Sequence, residues 1–389
     1  MKTYLPNTIS AVAGALGLTQ LSSRGQYRQG RKADVVADES NAASDTEKYW
    51  DLVRPDVVGP AIAGATGEKA WTNPTAELIA GGKSNLTFTL RSDAGEVILR
   101  RPPSGKLLPS AHDMAREARI LKGLAGSDVP VPTVLHVDAD GDALGVPYYV
   151  MAKVDGRVIR DELPAGYADS DAEKARIADA LVDALVALHR IDPEEVGLGD
   201  LGKPTGYLER QLDRWQKQSA KAAEHVQIDE FGELARKLEA TRPDTPTTRI
   251  VHGDFRLDNC ILDSSDPGTV RAVLDWELST LGDPLADLGL SLLYWGDSAA
   301  PPVPLVPSVT NRPGWPRPEH LVDRYCAATG ADPALLDWYF AFSVFKFTAI
   351  AQGVFTRAAA GDMAGQSFDD GGGRELLREL VATGLDKLR

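Results

Sequence analysis

At 389 residues and a formal charge of −14, the chain is too long for one ordinary core and too acidic to offer a surface to nucleic acid or an anionic membrane. Its composition, 43% hydrophobic and 25% charged, is that of a soluble globular protein. Two cysteines, Cys260 and Cys326, exclude a disulfide framework or a cysteine-built zinc site and point to a reduced, cytoplasmic protein.

Residues 1–45 are rich in Ser, Gly, Gln and Ala, with few large apolar side chains, and read as a flexible N-terminal extension. Leu5 to Leu21 is mildly apolar but broken by Pro6, Asn7 and Thr19; with Lys2 as the only nearby cation, it does not read as a signal peptide. No uninterrupted apolar run approaches the ~20 residues that span a bilayer. Asp45-Thr46-Glu47-Lys48 opens a helix, and the region of Pro55 and Pro60 is expected to end it.

From Ala76 the pattern is that of strands. Glu77 to Ala80 leads through Gly81-Gly82-Lys83-Ser84-Asn85 into Leu86-Thr87-Phe88-Thr89-Leu90, and Asp93-Ala94-Gly95 turns into a third strand, Glu96 to Arg100. A Gly-Gly-x-Ser-Asn turn exposes backbone N–H groups and a hydroxyl, which suits phosphate oxygens, although most such turns are plain hairpins. The third strand ends in Arg100 and Arg101. A helix expected from Ser110 carries Glu117, which is either the partner of a strand-borne cation or part of a solvated helix face. Val134 to Val137 and Tyr148 to Met151 form a strand pair around the turn Asp138 to Asp142. Five strands and one helix would complete a small lobe over residues 46–150. The segment Met151 to Gly156 then leads into a larger one over residues 151–389; such a crossing can offer adenine one backbone donor and one acceptor.

The remainder is mainly helical. Ile177, Leu181, Leu185 and Leu188 repeat at helix spacing up to His189, which reads as a capping or packing residue. Amphipathic helices follow over Tyr207–Glu224 and Glu230–Ala240. Later helices are expected over Glu319–Ala328, Pro333–Ala360 and Arg374–Leu388, with Phe340, Phe342, Phe345 and Phe347 as core. The Pro-rich stretch from Pro301 to Pro318 reads as a surface loop.

Between these helices lies Ile250-Val251-His252-Gly253-Asp254-Phe255-Arg256-Leu257-Asp258-Asn259-Cys260-Ile261-Leu262, a strand end, a polar loop and a second strand. A further apolar run, Val270 to Leu274, ends in Asp275, and Gly282-Asp283-Pro284-Leu285-Ala286-Asp287 opens a helix. His-Gly-Asp alone is a common turn. Joined to Asn259 at a fixed offset and to a strand-ending Asp, it reads as a site that gathers three oxygen-bearing side chains. Magnesium prefers such oxygens and usually shares its site with substrate phosphates. A metal-free Asp before the Asn can take a proton from an attacking hydroxyl.

The order Gly-rich turn, strand cation, helix Glu, His-Gly-Asp-x-x-x-x-Asn, Leu-Asp-Trp-Glu and Gly-Asp-Pro-x-x-Asp-Leu resembles the aminoglycoside phosphotransferase and choline kinase superfamily over residues 76–300. Its Gly-Gly-Lys-Ser-Asn-Leu-Thr, Arg-Arg-Pro-Pro and Leu-Asp-Trp-Glu stretches look most like the branch linked to acyl-CoA dehydrogenase fusion proteins. The resemblance implies an α+β, bilobal, protein-kinase-like fold with a small β-rich N-lobe and a larger, mostly helical C-lobe. It implies a kinase that transfers the γ-phosphate of ATP, or of GTP as the alternative nucleotide, to a small-molecule alcohol with Mg2+. Carried over position by position, Asp254 would be the catalytic base and Arg256 would neutralise the phosphoryl group. Asn259 and Asp275 would hold the metal. Gly82, Ser84, Asn85, Arg100, Glu117 and Met151 would bind the nucleotide, with Arg100 where the family usually has lysine and Arg101 as the competing contact. Asp287 would brace the loop from behind. The acceptor would be an aminoglycoside or, on the dehydrogenase-linked branch, a hydroxyacyl thioester or related metabolite; a kinase-like module that binds nucleotide without turnover is the rival reading.

Overall fold

A computed structural model describes residues 46–79, 85–103, 113–223, 225–244, 247–296, 298, 300–301, 307, 309–359 and 370–389. The expected extension over residues 1–45 and the turn residues Gly82 and Ser84 lie outside them. The chain divides into two compact units. The first takes the described residues up to Ala118 together with Thr133–Lys153, and the second takes Arg119–Pro132 and Val154–Arg389.

In the first unit, α1 (Trp50–Val53) and α2 (Pro55–Thr66) precede the strands β1 (Thr75–Leu78), β2 (Leu86–Ser92) and β3 (Gly95–Arg101). The prolines do not end a helix as expected. Arg54, at φ 44°, breaks α1 from α2, and Pro55 then sits at the first helical position, where no N–H is needed. Pro60 lies inside α2, held by the burial of Val58, Gly59 and Ile62 around it. The expected helix start at Ser110 lies outside the described residues; the helix α3 is described over Met114–Leu124, with the Asp113 carboxylate accepting the N–H of Arg116 at 2.9 Å.

The strands β4 (Val134–Asp138) and β5 (Tyr148–Ala152) complete a five-stranded antiparallel sheet of order β1-β2-β3-β5-β4. Between them, the Asp138 carboxylate takes the N–H groups of Gly141, Asp142 and Ala143. Alternation decides which side chains face which way. Phe88, Leu90, Val97, Leu99, Tyr148 and Val150 form the core with Val58, Ile62 and Trp71.

The second unit runs β6 (Arg157–Val158), α4 (Asp171–Arg190), α5 (Tyr207–Ala222), α6 (Phe231–Ala240), β7 (Arg249–Val251), β8 (Cys260–Leu262), β9 (Val270–Val273), β10 (Thr280–Gly282), α7 (Pro284–Tyr294), α8 (Pro318–Thr329), α9 (Leu336–Ala359) and α10 (Asp370–Lys387). Ser170 and Glu173 form a reciprocal capping box at the start of α4. The strands around His252 do not make one sheet. β7 pairs with β10, whereas β8 pairs with β6 and β9, so the polar loop between β7 and β8 passes from one small sheet to another.

The four phenylalanines expected as core are buried on α9, with Phe345 stacked on Phe231 at 4.5 Å between ring centroids. Residues 333–356 form the one described helix long and apolar enough to cross a membrane by length and composition, which a search for uninterrupted apolar runs misses. In this fold 78% of its most apolar stretch is buried inside the protein.

Candidate active site

In the first unit the polar cluster centres on Glu117, which is 2% exposed. Arg100 Nε lies 3.0 Å from Glu117 Oε2, Tyr149 donates its hydroxyl to the same oxygen at 3.1 Å, and Asn85 donates Nδ2 to Oε1 at 3.2 Å. The alternative of a solvated helix face for Glu117 is thereby excluded. The pleat separates the two arginines. Arg101 points to the opposite face of β3 and donates Nη1 to the carbonyl of Leu52 at 2.6 Å, leaving Arg100 to Glu117. Asn85, expected over phosphates, is turned inward at 4% exposure. Met151, expected as a hinge contact, sits within the sheet, opposite Ile98 of β3 on one side and Val134 of β4 on the other.

In the second unit the loop from His252 to Asn259 has its backbone held group by group. Asp287, in the first turn of α7, accepts the N–H groups of His252 and Gly253 at 2.5 and 2.8 Å, as its bracing assignment requires. Asp254 N–H donates to His252 Nδ1 at 3.2 Å, and His252 Nε2 donates to the Leu274 carbonyl at 2.8 Å, which fixes the tautomer. Lys346 of α9 donates to the Gly253 carbonyl at 2.8 Å, Asn259 Nδ2 to the Asp254 carbonyl at 2.8 Å, and Ser291 to the Phe255 carbonyl at 2.8 Å. A buried loop whose polar groups are paired in this way is rigid. Gly253 is needed twice: its φ is 86°, and a Cβ there would meet the Leu278 carbonyl oxygen at 2.7 Å.

This frame presents Asp254, Arg256 and Asn259, which are 5%, 7% and 7% exposed. Asn259 Nδ2 also reaches Asp254 Oδ2 at 3.2 Å, so its oxygen is left to accept from elsewhere. The Leu274 N–H donates to the Asn259 carbonyl at 2.8 Å, which brings Asp275, the next residue, beside Asn259. Asp275 adopts φ 66°, a left-handed conformation unusual for a residue with a side chain.

Arg256 Nε lies 3.1 Å from Asp258 Oδ1 and 3.5 Å from Asp254 Oδ2, with its guanidinium over the ring of Tyr294. Burial weakens that cation, but Asp254 and Asp258 outweigh burial and raise its pKa. Burial pushes the Asp258 carboxyl up to about 6, with Arg256 only partly opposing it. Burial and the adjacent Asp254, to which its hydroxyl donates, hold the Tyr294 phenol well above its usual range. Asp287 is pushed up by burial, but the hydrogen bond to His189, the two histidines beside it and the Gly253 N–H bring it below the ordinary carboxylate value. His189 is a buried packing residue as expected, with Nδ1 2.7 Å from the Tyr325 hydroxyl.

Sequence reasoning named Asp254, Arg256, Asn259, Asp275 and Asp287 and did not name Asp258, Tyr294 and Lys346, which the structure brings to the same loop. Asp258 stands inside the motif and was readable as a second carboxylate for Arg256. Tyr294 and Lys346 are forty and ninety-two residues beyond Asp254, and no local signal marks them. Beside the loop lies a small cavity of about 40 Å3, lined among others by Ile159, Leu181, Leu185, Phe255, Leu257 and Leu288.

The model of the phosphotransferase enzyme family matches residues 75–339. Acyl-CoA dehydrogenase family member 11 of Rattus norvegicus is 38% identical over 312 residues, covering 79% of this chain but only 39% of the rat protein. The chain thus spans about two fifths of the length of that relative. A protein of Ralstonia eutropha assigned to the aminoglycoside phosphotransferases shares 32% identity, with a TM-score of 0.67 over 81% of this chain and 92% of its own. The aminoglycoside phosphotransferase APH(4)-Ia, solved with ADP and hygromycin B, is 16% identical and shares the fold at a TM-score of 0.52, over 79% of this chain and 94% of its own. The Glu117 cluster and the His252–Asn259 loop both fall within the matched residues, and the chain belongs to the phosphotransferase enzyme family, kinases that act on hydroxyl groups of small molecules.

Proposed function

We propose that the protein transfers the γ-phosphate of ATP to the hydroxyl of a small metabolite, with Asp254 as the general base. The observation that carries this reading is the Asp254 carboxylate, nearly buried and oriented by the Tyr294 hydroxyl and Asn259 Nδ2. In transfer, the acceptor proton passes to Asp254 as its oxygen forms a bond to phosphorus and the bond to ADP breaks. Arg256, fixed by two carboxylates and an aromatic face, adds positive charge beside that base. One amide oxygen from Asn259 and one carboxylate from Asp275 suit Mg2+, which takes its remaining ligands from phosphates and water and would neutralise their charge. Nucleotide binding is assigned to residues 46–150, with Arg100 held by Glu117, and metal and acceptor binding to residues 151–389. Two free cysteines support a cytoplasmic setting.

For the acceptor, a hydroxyacyl thioester or related metabolite is favoured over an aminoglycoside. The support is the dehydrogenase-linked name of the rat relative. The test is phosphorylation of a metabolite extract with labelled ATP, then GTP, by wild-type and Asp275→Ala protein. Labelled small molecules are expected with wild type and none with the variant. Nucleotide binding without transfer to any acceptor would favour the inactive module, and wild-type turnover by Asp275→Ala would remove the metal assignment.

A further inference from the structure

The helices α5 and α9 pack in parallel register. Gln218 donates to the Ala349 carbonyl at 3.2 Å, Ser219 to Gln352 Oε1 at 2.7 Å, and Thr356 to the Ala222 carbonyl at 3.5 Å. One turn back along both helices, the same register sets Arg214 of α5 against Lys346 of α9. The two cations are near enough to repel, and that repulsion adds to burial in weakening the Lys346 ammonium. Lys346 has compensation: its Nζ holds the Gly253 carbonyl, and Asp254 and Asp287 are within electrostatic reach. Arg214 has none. Among the described residues it has no carboxylate partner, its Nε is buried without a hydrogen bond, and its guanidinium rests on the ring of Trp215 at 4.7 Å.

A buried guanidinium edge without an acceptor is costly, and a second cation beside it raises the cost. An anion entering from outside removes both penalties at once, and a planar guanidinium next to an ammonium matches a carboxylate or phosphate. Building on the phosphotransferase reading above, we propose that Arg214 and Lys346 form an anion-binding subsite for the acceptor, so that the alcohol phosphorylated at Asp254 carries a carboxylate or phosphate. The position fits because Lys346 is bonded to the residue before Asp254. A polycationic acceptor would be repelled there, although the net charge of −14 would attract it to the molecule as a whole.

The experiment is calorimetric titration of the full chain, held with magnesium and a non-hydrolysable ATP analogue. Three matched alcohols serve as probes: 1,3-butanediol, 3-hydroxybutyrate and 3-hydroxybutyl phosphate. At least one anionic probe is expected to bind tenfold or more tightly than the diol, and which one does so separates a carboxylate from a phosphate ligand. Arg214→Met is expected to erase that preference and Arg214→Lys to keep part of it, with circular dichroism checking that both variants fold. Equal binding of the three probes, absence of binding included, or a preference surviving in Arg214→Met would overturn the subsite. Titration of the ATP analogue alone is read separately: its failure to bind would instead sink the phosphotransferase reading.

Discussion

Asp258 shows how one residue inside a motif carries a cost that the local sequence does not announce. Its carboxyl is buried against Arg256 and also faces Asp254, and it holds its proton up to about pH 6, against an ordinary value of 3.8. Between those values the folded protein binds a proton that the unfolded chain has released, so stability falls as pH rises through that window. Across the whole window the loss is roughly 3 kcal/mol as an upper figure. Denaturant unfolding at pH 4 and pH 7 should therefore show a smaller loss of stability with pH in Asp258→Asn than in wild type. Parallel pH profiles for the two proteins would mean that the proton is not held there. Arg100 and Arg101 make the same point about geometry. Adjacent in sequence and identical in chemistry, they are separated by the pleat into a partner of Glu117 and a clamp on the Leu52 carbonyl.

At the scale of elements, the loop between β7 and β8 is held by helices that the motif does not contain. Asp287 from α7 takes two of its N–H groups, Lys346 from α9 takes a carbonyl, and Ser291 takes another. Asp287→Ala leaves two buried N–H groups and His189 without their acceptor. The expected loss is about 3 kcal/mol, read from the shift in urea midpoint, together with a fall in phosphotransfer because Asp254 is no longer fixed. A variant as stable as wild type would show that the loop holds itself. The depressed Asp287 carboxyl has the opposite pH sign to Asp258: its contribution is complete above the ordinary carboxylate value and is lost as pH falls through its own, lower value. The capping motifs, by contrast, were local. Asp283 before Pro284 opens its helix in the structure as in the sequence, and Ser170 with Glu173 forms a box within four residues.

For the molecule as a whole, α9 joins packing to the site. It buries Phe345 against Phe231, lines up with α5, and delivers Lys346 to the loop between β7 and β8. Phe345→Ala should lower the stability of the second unit by about 3–5 kcal/mol in denaturant unfolding; a change below about 1 kcal/mol would show that the site collapses around the loss. The sequence by itself determined the family, the five-stranded sheet and most helices, and it named Asp254, Arg256, Asn259, Asp275 and Asp287 as candidates, because periodicity, caps and a motif with fixed spacing are short-range properties. Only the tertiary structure decided which arginine meets Glu117, that Asn85 turns inward, that the strands around the loop belong to two sheets, and that Tyr294, Lys346 and Arg214 gather near it. Those outcomes depend on which distant segments pack together, and side chains far apart in the chain leave no mark on each other until it has folded.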